Sequence, residues 1–344
     1  MQKRRIRDYR DTNRLTPLIN PSLGAFFFPV MLCLGFWTIG FFAAPDETWN
    51  CEMSTPFDGL LADWMNPDSL LSHAVGALAT LFTAAAMVHI NELRSFIPTR
   101  TLMPFFLYVV LMGVNVNVHA FTLSQVSNLF LVSAIGVMMG SYRHLQPVGD
   151  AFRVGVLLGC AGIFCAEYLY LIFVMWICMV RLNTLTMRTF LATLLGLFLP
   201  AVLFTFLVYF FFGVDRMIDL FWGYVDLVYV PFPEFEDTLI IWLFYGVLLL
   251  MSVFSMFSSS RSSVHDNVRP HKLIGTLAWF FAGSVLFFIL FTNKMPAMYA
   301  LLTIFSSLLM GNYFTMKKGK LTNVLFFLLM ACSLLYFLDA VIFQ

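Results

Sequence analysis

Charge is scarce in this sequence: Asp, Glu, Lys and Arg make up 11% of its 344 residues, against 60% hydrophobic ones. A water-soluble domain carries about 25% charged residues, and the mean hydropathy of +0.85 points the same way. The composition excludes a soluble enzyme and a disordered chain, and places the protein in lipid. Cysteine is scarce too. Of the six, Cys33, Cys160, Cys165, Cys178 and Cys332 stand inside apolar runs, where a thiol behaves as a small apolar group, and Cys51 is the one in a polar stretch. No disulfide framework follows. There is no CxxC, HExxH, P-loop or GxGxxG motif, and His265 and His271, six apart in a polar stretch, read as solvated rather than metal-binding. No metal-ligand motif and no nucleic-acid partner are expected. No inverted internal repeat of the transporter kind is visible.

What is present is a series of apolar runs at 25–44, 70–90, 102–120, 126–141, 152–180, 189–212, 238–257, 273–292, 296–315 and 321–342. Most approach the roughly 20 residues that cross a bilayer as a helix. They are continuous rather than ten-residue alternations, so the backbone is satisfied within helices and not in a barrel. The expected fold is all-α and polytopic. The stretch "MQKRRIRDYRDTNR" precedes the first run, and its six basic residues argue for a cytoplasmic N-terminus. The leading segment is long and Pro45 follows the small pair Ala43–Ala44, so the first run reads as a retained anchor. This divides the chain into a basic tail, 1–24, and a single transmembrane domain, 25–344.

Simple alternation fails at the run 152–180. If it crossed once, Arg181, Arg188, Arg261, Arg269 and Lys272 would all lie outside, against the positive-inside rule. If it turns back at "CAEY", 18 of the 20 basic residues fall inside and 14 of the 19 acids outside. Glu167 is then the apex of a short re-entrant-like hairpin with arms at 152–165 and 167–180. Each arm is about 21 Å long at 1.5 Å per residue, short of a bilayer of about 30 Å. The expected layout has about eleven helices, the N-terminus cytoplasmic and the C-terminus periplasmic. An ionisable residue at membrane depth is a candidate functional group, and its expected hydrogen-bonding neighbours are Asn115, Asn117 and His119 of "NVNVHA".

The outer face carries two acidic loops, 45–69 and 213–237, with aromatic residues interleaved. "FDGLLADWM" and "MIDLFWGYVDLVYV" in them have the mixed three-and-four spacing of interfacial helices. Arg216 and Lys294 are the two basic residues that break the inside rule. A bidentate guanidinium and a point-charge ammonium suit an anionic headgroup or lipid phosphate.

An acidic loop opening with "PDET" after the first span, short paired helices, an acid at a hairpin apex and a late outer lysine before proline together resemble the GT-C membrane glycosyltransferases. That resemblance implies a lipid bilayer setting and a polyprenyl-phosphate-linked sugar as partner. It also implies Asp46, Glu47 or Glu52 as base or as ligand to a divalent cation, with Glu167 a further catalytic candidate. Arg216 and Lys294 would hold phosphate, and Asn115, Asn117 and His119 would add substrate contacts. The segments "INELRSFIPTRTLMPFFLYVVLMG", "GIFCAEYLYLIFVMWICMVRL" and "LLGLFLPAVL" resemble a family of uncharacterised inner-membrane proteins of Bacteroidota, which implies a Gram-negative inner membrane. The family's hairpin carries prolines where this chain has Ala166–Glu167–Tyr168. The functional expectation is a protein of the cell envelope acting on or binding lipid-linked saccharides at the outer face. The alternatives are a transporter or lipid flippase, and a non-catalytic membrane subunit of an envelope assembly.

Overall fold

The computed structural model describes residues 22–42, 69–142, 147–226, 239–262, 268–291, 295–317 and 319–342. Among them every regular element is helical, as expected. The α-helices are α1 (Leu23–Phe42), α2 (Leu70–Arg94), α3 (Met103–Gly113), α4 (Leu123–Gly140), α5 (Pro147–Phe164) and α6 (Leu171–Arg181). They continue with α7 (Met187–Asp226), α8 (Leu239–Ser262), α9 (Val268–Leu290), α10 (Met295–Met316) and α11 (Lys320–Ile342). Nine of these eleven are long and apolar enough to cross a membrane, so the protein is a multi-pass membrane protein. The exceptions are α3 and α6, with 11 residues each, about 16 Å of helix.

Local chemistry sets the ends. Ser69 caps α2 by accepting from the Ser72 amide at 3.1 Å. That helix ends at Ser95 in the left-handed region, with its amide on the Asn91 carbonyl. Pro104 sits in the first turn of α3, where its missing N–H costs nothing. Gly213, at φ 86°, breaks α7 into a spanning part and a second helical segment that runs to Asp226. Side chains cannot easily adopt that angle, and glycine can. The second segment covers part of the expected interfacial helix, whereas "FDGLLADWM" lies outside the described residues.

Packing contacts fix the direction of each helix. Gly155 of α5 lies against Thr193 of α7, and Gly159 against Leu197, so α5 and α7 run parallel. The chain must therefore return between them, and α6 is the return. Val174 and Arg181 of α6 pack against Gly283 and Gly275 of α9, an antiparallel arrangement. Tyr170 at the apex stacks on Phe291, at the far end of α9, with ring centroids 6.0 Å apart. The hairpin is present, and Glu167 sits in its apex, a 3-10 turn at Ala166–Tyr170. Its arms are not equal, as the apolar run suggested. The first arm has 18 residues because helix formation starts at Pro147, through a polar turn where Arg153 pairs with Asp150 at 3.7 Å.

A second departure concerns the run 102–120, expected as one span. Its helix stops at Gly113 because Asn115 turns the chain, accepting from the Asn117 amide at 3.2 Å. Hydropathy does not see such a turn, since Val114, Val116 and Val118 keep the run apolar. Phe26 of α1 stacks on Phe105 and Trp37 on His119, so α1 and α3 run parallel. Phe106 and Phe36 meet Phe326 and Phe337 of α11. Helix α1 thus begins and α11 ends on opposite faces. The face holding Arg94, Arg181 and Lys272 is called basic below, and the face holding the hairpin apex is called apical.

The interior is organised around α10, in which residues 296–315 are all buried. Helix α7 lies at the other extreme, exposing Phe198, Val202, Phe206 and Phe210 outward, as a lipid-facing helix does. Close approach of α5 and α7 depends on Gly155, Gly159 and Gly196, the small-residue packing typical of membrane helices. Thr303, Ser306, Ser307 and Asn312 of α10 are buried. Thr303 and Ser307 donate back to the carbonyls of Ala300 and Ile304.

Candidate functional site

Two interrupted elements meet near the apical side: the 114–122 segment after α3 and the hairpin apex after α5. Both leave helix-terminal carbonyls unpaired by their own helix, and in lipid such groups need protein partners. The Tyr299 hydroxyl donates to the Leu111 carbonyl. His119 Nε2 lies 2.9 Å from the Gly113 carbonyl and donates to it. Its Nδ1 is buried and has no hydrogen-bond partner, the arrangement of a neutral ring protonated on Nε2. Trp37 stacks on that ring at 4.3 Å and donates Nε1 to the His119 carbonyl at 2.8 Å. Glycines make the space for it: a Cβ on Gly40 would come within 2.1 Å of Nδ1, and one on Gly76 within 2.3 Å of the His119 carbonyl.

Helix α4 joins the two elements. Gln125 Nε2 donates to Val118 at 2.9 Å and to Ala120 at 3.4 Å, which holds the 114–122 segment. Ser127 donates to the Ala161 carbonyl at 2.8 Å, and the Tyr168 hydroxyl donates to Asn128 Oδ1, which holds the hairpin. Gln125 Oε1 and Asn128 Nδ2, one turn apart on α4, are buried without partners. Glu167 is 2% exposed, and its Oε2 accepts from the Cys165 thiol at 3.0 Å. The layer thus offers one carboxylate, a free amide acceptor, a free amide donor and a tyrosine hydroxyl.

The expected residues divide into those the layer contains and those it does not. Asn115 is buried and committed to its own turn, Asn117 is partly buried, and His119 is packed against α1 and α2. The hydrogen bonds of Asn115 and His119 described above go to the Asn117 amide and the Gly113 carbonyl, and the thiol of Cys165 takes a place beside Glu167 that hydropathy could not assign. Asp46, Glu47, Glu52 and Lys294 lie outside the described residues. Arg216 lies in the second segment of α7, and only its backbone is described. Among the described residues no group of three or more His, Cys, Asp and Glu could hold a metal ion. Sequence reasoning missed Gln125, Ser127, Asn128 and Tyr168. The signal was available in "LSQVSNLF", where Ser124, Gln125, Ser127 and Asn128 crowd the first turns of an otherwise apolar helix.

Comparison with known proteins adds a family. The model of a family of unknown function, DUF6427, matches residues 59–343. The chain belongs to that family. The match runs from before α2 to the end of α11, so the hairpin, the interrupted α3 and the polar layer all lie inside the DUF6427 region. No curated protein matches the chain. Among solved structures, it is similar to the Archaeoglobus fulgidus oligosaccharyltransferase at 11% identity and a TM-score of 0.46. That match covers 93% of this chain and 56% of the oligosaccharyltransferase chain, so this protein spans little more than half its length.

Proposed function

We propose that the protein acts on lipid-linked saccharides at its apical face, as a membrane glycosyltransferase of the GT-C kind. The observation that carries this reading is the hairpin apex. It holds the carboxylate of Glu167 among polar groups with unused hydrogen-bonding capacity, on the face where α1 ends and the acidic segment with Asp46, Glu47 and Glu52 follows. By the positive-inside rule, the basic residues at the opposite face support a cytoplasmic setting for that face and a periplasmic one for the apical face. The membrane would then be the inner membrane of a cell with an outer envelope.

In the proposed reaction an acceptor hydroxyl attacks the anomeric carbon of the donor sugar. The new glycosidic C–O bond forms as the bond to the polyprenyl phosphate oxygen breaks. The hydroxyl proton goes to a carboxylate, for which Asp46, Glu47, Glu52 and Glu167 are the candidates, and the lipid phosphate leaves with its electron pair. Arg216 and Lys294 would neutralise that leaving group. Asp46, Glu47 and Glu52 would also be the ligands of a divalent cation if one takes part, and no step here depends on it.

A second reading, transport or flipping of the same lipid, is favoured by α3 and α6. Half-length helices beside a buried carboxylate are the usual sign of a transport site. The two readings separate in one assay. Purified protein in proteoliposomes receives a radiolabelled polyprenyl-phosphate sugar with an acceptor glycan. Transfer of label to the acceptor, lost in Glu167→Gln and Asp46→Asn while both variants stay folded, is the expected result. Movement of intact lipid across the bilayer without cleavage establishes the transport reading. Neither transfer nor movement, with Glu167→Gln behaving as wild type and Glu167→Ala only lowering expression, leaves Glu167 a structural turn.

A further inference from the structure

Gln125 and Asn128 of α4 each commit one end of a buried amide and leave the other end bare. Gln125 is 3% exposed and Asn128 is not exposed at all. The amide nitrogen of Gln125 faces the Val118 and Ala120 carbonyls at 2.9 and 3.4 Å. A carbonyl only accepts, so that orientation is fixed and Oε1 is the end left over. The Asn128 amide meets the Tyr168 hydroxyl through Oδ1, which leaves Nδ2 over. Turning the Asn128 amide round would only exchange which end is bare, because one hydroxyl oxygen meets one end. Among the described residues neither Gln125 Oε1 nor Asn128 Nδ2 has a hydrogen-bond partner, so they are not bonded to each other either. Bare amide ends sealed inside a protein in lipid are costly, and here an acceptor and a donor share one helix face.

We infer that one water molecule is bound between Gln125 and Asn128, donating to Oε1 and accepting from Nδ2. Residues three apart on a helix have Cβ atoms about 5–6 Å apart on one face. Two hydrogen bonds of about 2.9 Å that meet on one oxygen near the tetrahedral angle span about 4.7 Å, which suits that spacing. A neutral acceptor beside a neutral donor calls for an uncharged molecule that both gives and takes a hydrogen bond, which excludes an ion. Both amide ends are sealed from the surface, which excludes a saccharide or a lipid headgroup. Buried waters hold two to four such polar partners. The bridge completes a chain from the Val118 and Ala120 carbonyls through Gln125, the water and Asn128 to Tyr168. It couples the 114–122 segment to the hairpin apex, so that loosening one interrupted element loosens the other. The site stands or falls independently of the saccharide reading, and no saccharide enters its test.

The test is nuclear magnetic resonance of the full-length protein in lipid nanodiscs. Magnetisation transferred selectively from water should reach the side-chain amide protons of Asn128 in wild type. It should not reach the indole N–H of Trp37, a buried donor that already holds the His119 carbonyl. Gln125→Met, close in size, removes the acceptor and should abolish the transfer to Asn128. The same variant should speed amide exchange at Ala166 to Tyr170 about fivefold, the effect of one lost hydrogen bond. Ser133→Ala, whose hydroxyl bonds within its own helix at Leu129, should change neither reading. The wild-type measurement needs no variant, so the site stays testable if Gln125→Met does not fold. Absence of transfer to Asn128 in folded wild type would overturn the site. Transfer undiminished in Gln125→Met would overturn the bridge in favour of a water held by Asn128 alone, and unchanged exchange at the apex would overturn the coupling.

Discussion

Removing the Tyr168 hydroxyl tests how much its hydrogen bond to Asn128 contributes to fastening the hairpin to α4. Tyr168→Phe keeps the ring, which is fully buried, and deletes the donor to Asn128 Oδ1. Asn128 Nδ2 already lacks a protein partner, so the variant leaves the whole amide without one. A buried polar group left without its partner costs about 1–3 kcal/mol. Measured couplings between membrane helices are smaller, about 0.6 kcal/mol on average and about 1.7 at most, because the denatured chain in detergent also finds partners. The expected loss for Tyr168→Phe is therefore about 1–2 kcal/mol. Asn128→Leu, which strands the tyrosine hydroxyl instead, should cost about the same. The double variant has no polar group left to strand, and should recover about 1 kcal/mol relative to the sum of the singles. Reversible unfolding in mixed detergent micelles reads all four states of the cycle. Strict additivity would refute the reasoning, since it would mean the two side chains do not depend on each other in the folded protein.

Other outcomes follow from the same contacts. Reporter fusions after Arg188 should read as cytoplasmic and fusions near Pro231 as periplasmic, because α5 and α7 run parallel and α6 returns between them; reversal of both would reverse the assignment of faces. Gly155→Leu should abolish accumulation of folded protein, since even a Cβ would approach the Thr193 carbonyl to 2.2 Å. Gly246→Leu, with nothing within 4 Å of the added carbon, should fold as wild type in fluorescence-detected gel filtration. Gly76→Ala should destabilise the 114–122 segment through the His119 carbonyl at 2.3 Å, and faster amide exchange at Asn117 to Phe121 than in wild type would show it.

The hairpin was legible because charge recorded it: Arg153, Arg181 and Arg188 can share a face only if the run between them reverses. Glu167 was legible for the same reason, as the one acid inside a long apolar stretch. The interruption of α3 was not. No proline, charge or composition shift marks Gly113, and what ends the helix is a side-chain turn at Asn115 and a histidine reaching back to a carbonyl. The partners of the apex were hidden differently. Tyr168 and Asn128 are 40 positions apart, and nothing local to either requires the other. Their pairing arises from the antiparallel course of α4 and α5, which single-residue patterns do not encode. The acidic residues of 45–69 were read from charge and from resemblance, and their place in the chemistry stays a proposal for the transfer assay.

Helix α10 is buried among its neighbours, and it is also the least apolar of the nine candidate spanning helices among the described residues. A segment rich in serine and threonine partitions poorly from the translocon into lipid on its own. It emerges tenth of the eleven α-helices among the described residues, after most of its neighbours have been made, and the strongly apolar α11 comes next among them. Order of synthesis then becomes part of the fold: the outer helices form a sleeve first, the polar strut slides into it, and the last helix closes the seam. A rearranged gene that encoded α10 early would ask the insertion machinery to release into bare lipid a segment whose hydroxyls have no sleeve to meet.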